Sequence, residues 1–277
     1  MMSPTTRSDA EVRSLARSLW KGIEQGADAL APEIRTRSLD WEGQIDPDFL
    51  LSQMIAMNLL AVGDHARSMN TLILSPKLGP SSATIARGAV ESLARIRWVT
   101  IGATPDEVRV RALSVLHSDV DKSAFATEFV GVEGELDRRE FLALVTAQKR
   151  AINATAPSWA LGTAVREAAA DAWGNVDLDE WTPYSQLSSF AHGMVPALGS
   201  LLANGRLRLP RQEVVNHAAF VLGIADRAVH VLGRCPLPLL PDGTVAQLWE
   251  SIALRLEPLR RQLAEEDNGD RPFRVKG

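Results

Sequence analysis

Apolar residues recur every three or four positions along most of this chain, and that period commits it to helices. Leu50, Leu51, Met54, Met57, Leu60 and Ala61 follow it, as do Ile85, Ala89, Leu93, Ile96 and Val99. Alternating runs rich in Val, Ile and Thr, the mark of half-buried strands, are scarce. The fold class expected is therefore all-α.

Start and stop signals divide the periodic stretches. Ser8 with Glu11 forms a capping box that opens a helix running to about Leu30, before Pro32. Asp46 and Pro47 open a second, ending near Leu74; Ser81 or Ser82 opens a third, ending at Gly102. Thr104, Pro105, Asp106 and Glu107 restart the chain as a helix to about residue 130, with acidic groups where the amide dipoles favour them. Further helices are expected over 134–152, 159–173, 184–203, 212–232 and 244–266, with 206–210 as a link. No repeat period and no polar linker divides these elements. One helical domain of about eight or nine helices over 1–266 is expected, followed by a polar, mobile tail over 267–277.

Charge and composition exclude several classes. A net charge of −4 disfavours a surface built to neutralise nucleic-acid phosphates. The single cysteine, Cys235, allows neither an intramolecular disulfide nor a thiolate zinc site. No run approaches the roughly 20 apolar residues that span a bilayer, and the first residues lack a secretory apolar segment, so a cytoplasmic protein without membrane contact is expected. None of the five histidines has an acidic residue three positions before it, as a ferritin-like di-metal site needs. No His-Glu-x-x-His, P-loop or Gly-x-Gly-x-x-Gly pattern occurs, so neither metal nor cofactor is expected. Asp64 and His65 are adjacent, about 100° apart on a helix, and cannot share one metal unaided. His65 and His230 read as packing or interface residues.

Two polar constellations remain. Tyr184, Ser188 and His192 lie four apart and share one helix face, drifting about 40° per step. That face either binds a ligand or satisfies its own polar groups inside a bundle. Arg87, Glu91 and Arg95 form a second four-residue ladder. In water it is an ion-pair stripe contributing tenths of a kcal/mol; covered, it is an expensive charge cluster of the kind that persists where something binds. Between them, Gly88 lets another element approach the helix closely. The ligand-binding set expected is Arg87, Glu91, Tyr184, Ser188 and His192, with the helices near 82–101, 106–130 and 184–203 adjoining around it.

The succession ARGAVESLARIRW, EVRVRALSVLHSD and YSQLSSFAHGM resembles a group of all-helical bacterial proteins with recurring Arg-xxx-Glu beside a Trp, an Arg-rich helix and a Tyr-Ser-His helix. The matching positions are Arg87, Glu91, Trp98, Arg109, Arg111, Tyr184, Ser188 and His192. The resemblance covers about 110 residues and implies a shared fold and pocket, but no activity. Together with the co-facial spacing it leads to the expectation of a binding protein in defence or regulation, with a small molecule or a protein as partner. More remotely, the chain resembles the helical nucleases of toxin and abortive-infection systems, in which a His follows an Arg by four to six positions on one helix. Arg111 with His117, and Arg211 with His217, fit that spacing. This second resemblance implies metal-independent RNA cleavage by a homodimer, the His acting as acid or base and the Arg holding phosphate charge.

Overall fold

The computed structural model of the chain describes residues 9–34, 46–73, 81–122, 138–173, 183–192, 194, 202–203, 206–207, 211–239, 243, 246–247, 250 and 254. Eight helices fall within them: α1 (Asp9–Ile34), α2 (Pro47–Ile73), α3 (Ser81–Thr100), α4 (Pro105–Lys122), α5 (Arg138–Ala151), α6 (Leu161–Trp173), α7 (Pro183–Ala191) and α8 (Arg211–Leu232). The fold is all-α, save for a two-residue antiparallel ladder of β1 (Leu202–Ala203) with β2 (Arg206–Leu207).

The caps of α2 and α4 act as the sequence implies, while Ser8, and with it the box it forms with Glu11, lies outside the described residues. Asp46 Oδ1 accepts the backbone N–H groups of Asp48 at 3.0 Å and Phe49 at 3.3 Å, satisfying donors that the first turn of α2 leaves open. At the start of α4, Thr104 Oγ1 accepts the Glu107 N–H at 3.2 Å, while Glu107 Oε2 accepts the N–H groups of Ala103 and Thr104. This is a reciprocal capping box.

Two expected boundaries move. α1 continues past Pro32 to Ile34, because a proline in the last turn forfeits one backbone bond and leaves the rest intact. The helix expected over 184–203 ends at Ala191. There the Met194 N–H reaches back to the Ser189 carbonyl at 3.0 Å, a closure across five residues that terminates helices. Ladder residues then occupy 202–203 and 206–207, where the continuing helix and the link were expected. Residues 123–130 and the tail lie outside the described residues. So does most of the last expected helix, of which Ala246, Gln247, Glu250 and Leu254 are helical.

α3 is the centre of the packing, lying against α2, α4, α6, α7 and α8. It is lined by small residues on several sides, including Ala83, Ala86, Ala89 and Ala94, all fully buried. Short side chains let neighbouring axes come close on every face. The main core joins α1 to α4 and α6 to α8, anchored by Trp20, Leu51, Met69, Ile96, Leu187 and Phe220. A satellite cluster of Leu50, Leu113, Val120, Phe141 and Val145 fastens α5 onto α2 and α4. Arg109 reinforces that side with a two-pronged grip on Asp48, Nε to Oδ1 at 2.6 Å and Nη2 to Oδ2 at 2.7 Å. The grip holds the Asp48 carboxyl below its ordinary pKa.

Candidate functional site

The central position of α3 decides what becomes of its charged ladder. Arg87 and Glu91 keep only 22% and 25% of their side-chain exposure, and Arg95 also keeps 25%. The stripe is largely covered, and its members have different partners. Arg95 turns to α4 and pairs with Asp119. Arg87 and Glu91 face α7.

Along that seam four side chains meet. Arg87 Nε donates to Glu91 Oε1 at 2.6 Å, and the Tyr184 hydroxyl donates to the same oxygen at 2.8 Å. The Arg87 guanidinium carbon sits 5.8 Å from the Tyr184 ring centre. Arg87 Nη1 lies 2.7 Å from His192 Nε2. A guanidinium only donates, so Nε2 accepts, and the proton of the neutral ring is placed on Nδ1 of an exposed side chain. Glu91 Oε2 has no hydrogen-bond partner among the described residues. Ser188 shares the helix face but stays outside this array, contributing its backbone carbonyl to the His192 N–H. α4, expected beside this face, takes no part in it.

The electrostatics keep two members of the array, Arg87 and Tyr184, protonated. Burial pulls the Arg87 pKa down, but the hydrogen bond and charge of Glu91 outweigh it and leave the guanidinium above its ordinary value. Burial pushes the Tyr184 phenol up to about 12, with the Glu91 carboxylate adding to the shift. Both groups stay protonated throughout the physiological range.

His65 also belongs to this neighbourhood, in the packing role its sequence context suggests. Its ring lies across Gly88, where a Cβ would be 2.7 Å from Cε1 and closer still to Nε2. Burial lowers the His65 pKa, offset in part by Asp64 and Glu91. A glycine in mid-helix costs about 1 kcal/mol, and here the absent side chain makes room for an imidazole from α2.

Arg111 and His117 do not converge. Six positions on a helix amount to 600°, which turns the second side chain 120° away from the first. Arg111 accordingly lies over Trp98, its guanidinium carbon 4.8 Å from the ring centre, and donates to the Trp98 carbonyl at 3.1 Å. His117 instead lines a cavity between α4, α5 and residues 154–159. His217 is 1% exposed, and burial pushes its pKa down to about 4. The Arg211 side chain lies outside the described residues.

Comparison with known proteins adds no relative. No family profile matches the chain, and neither a curated protein nor a solved structure is detectably similar to it. Among the described residues no group of three or more His, Cys, Asp or Glu is placed to hold a metal ion. No helix among them is long and apolar enough to cross a membrane.

Two charged features escaped the sequence reading. Arg97, 4% exposed, donates through Nε to Asp171 Oδ2 at 2.8 Å and makes a second contact with it through Nη2, while Glu167 stands 3.8 Å from Nη1. The signal was faint: Arg97 falls between Ile96 and Trp98, and only the approach of α6 shows that its side is covered. The other is a row of alternating cations and indoles, Arg111, Trp98, Trp159 and Arg95. Its two rings lie edge to face at 4.9 Å, and Arg95 sits 5.7 Å from the Trp159 ring centre.

Proposed function

We propose that this chain is a binding protein and that Arg87, Glu91, Tyr184 and His192 form its recognition site. The observation that carries the reading is the convergence of these four groups from two helices into one part-buried array. Its polar ends are of both kinds: the Nδ1–H of His192 as donor and Oε2 of Glu91 as acceptor. One positive and one negative charge cancel within it, so it suits a neutral or zwitterionic ligand that offers both a donor and an acceptor, such as an amide. Arg87 and Tyr184 keep their protons near neutral pH, which favours holding a ligand over exchanging protons with one.

The ribonuclease reading draws less support, because Arg111 and His117 serve different neighbours and His217 is enclosed. Two measurements test the binding reading together. Native mass spectrometry of the purified chain is expected to show a non-covalent mass that Glu91→Gln lacks. His192→Ala is expected to change the unfolding free energy by less than about 0.5 kcal/mol, as an exposed group does when it is not part of a structural fastening. A loss of about 2 kcal/mol or more would make the array a clasp between α3 and α7, and the proposal would fall.

A further inference from the structure

A second polar site lies against α4. A cavity of 510 Å³ opens between α4, α5 and the segment 154–159, within the range of about 300–1,000 Å³ typical of small-molecule sites. Lys149 and Arg150, from the last turn of α5, and His117, from α4, all line it. Among the described residues that line it none is acidic. The carboxyl end of α5 brings roughly half a negative charge to this region, and two full positive charges outweigh it.

Hydroxyls surround these cations. Ser118, Thr146 and Ser158 supply O–H groups from three different segments, so donors reach the cavity from several directions. Ser114 differs, because its hydroxyl donates to the Val110 carbonyl at 2.7 Å and presents only lone pairs to the cavity. Apart from Thr155, the remaining wall is apolar: Val110 is buried, and the Trp159 indole is held between Trp98 and Arg95.

We propose that this cavity binds a phosphomonoester carried on a flat ring. The phosphate sits among Lys149, Arg150 and His117, where the forked guanidinium matches two phosphate oxygens, and the ring lies against Trp159. The site shares no residue with the Arg87 array, so its fate is independent of the function proposed above.

Titration calorimetry with phenyl phosphate, inorganic phosphate and phenol tests it. Phenyl phosphate is expected to bind one to one, at least tenfold more tightly than inorganic phosphate, and phenol not measurably. The double variant Lys149→Gln, Arg150→Gln is expected to lose at least tenfold in phenyl phosphate affinity with only a small fall in the unfolding midpoint, Arg150 being exposed and Lys149 half-buried at the carboxyl end of α5. Trp159→Leu should bring phenyl phosphate down to the affinity of inorganic phosphate. Absence of saturable phenyl phosphate binding, equal affinity in the wild type and the double variant, or phenol binding as well as phenyl phosphate would each overturn the proposal. Equal affinity of the wild type for the two phosphates would overturn the role of Trp159.

Discussion

Replacing Gly88 by alanine measures how firmly α2 is seated on α3 beside the proposed recognition site. In a bare helix the change gains about 1 kcal/mol, because alanine loses less backbone freedom. Here the new Cβ would lie 2.7 Å from His65 Cε1 and 3.1 Å from Cδ2, against an ordinary carbon contact of about 3.5–4.0 Å. The imidazole must swing out by about 1 Å or more, and overpacking of this kind costs about 1–3 kcal/mol. The expected net effect is a destabilisation of about 1 kcal/mol. Gly162 in α6 is the internal control, since nothing stands within 4 Å of a Cβ there. Gly162→Ala is therefore expected to stabilise by about 0.5–1 kcal/mol. Urea titration with constant slope reads both values, and melting should move by about 2–4 °C per kcal/mol, in opposite directions. The His65 titration, followed by NMR, should rise toward its ordinary value in Gly88→Ala as the ring leaves its half-buried position. A Gly88→Ala protein stabilised as much as Gly162→Ala would refute the reasoning, because His65 could not then lie across α3.

Other outcomes follow from the buried polar groups. Asp171→Asn removes the carboxylate that faces buried Arg97, and a loss of about 1–2 kcal/mol is expected, moderated because Asp171 is 44% exposed. Arg97→Met removes the buried charge itself and should stay within about 1 kcal/mol of wild type; a larger loss than in Asp171→Asn would show that the pair is a net stabiliser. His217 links stability to pH. The unfolded chain takes up this proton near pH 6.5, whereas the folded chain resists until about 4, so the contribution is whole above 6.5 and declines as pH falls between the two. The span corresponds to about 3 kcal/mol, and His217→Gln should flatten the stability profile between pH 6.5 and 4 by that amount; an unchanged slope would disprove the assignment.

Helix identity and most helix starts were legible in the sequence, because both are local. A cap such as Asp46 or Thr104 satisfies donors two or three residues away, and the spacing of Leu50, Leu51 and Met54 defines a face without reference to any other helix. The same reasoning placed Arg87 with Glu91, and Tyr184 with His192, on shared faces. It carried this helix past its end at Ala191, although Gly193 was a stop signal within an otherwise apolar helical stretch.

What the sequence alone determined is thus the class, the caps and the grouping of side chains on each helix, all consequences of bonding within one turn. Which faces meet was decided only in three dimensions. The ladder on α3 could have stood in water, and it is covered because α3 is enclosed by other helices. His117 could have joined Arg111, and it opens into a different cavity because a helix turns 100° per residue while packing chooses the neighbour for each direction. Burial and proximity belong to pairs of elements far apart in the chain, and no local pattern in either partner specifies the other.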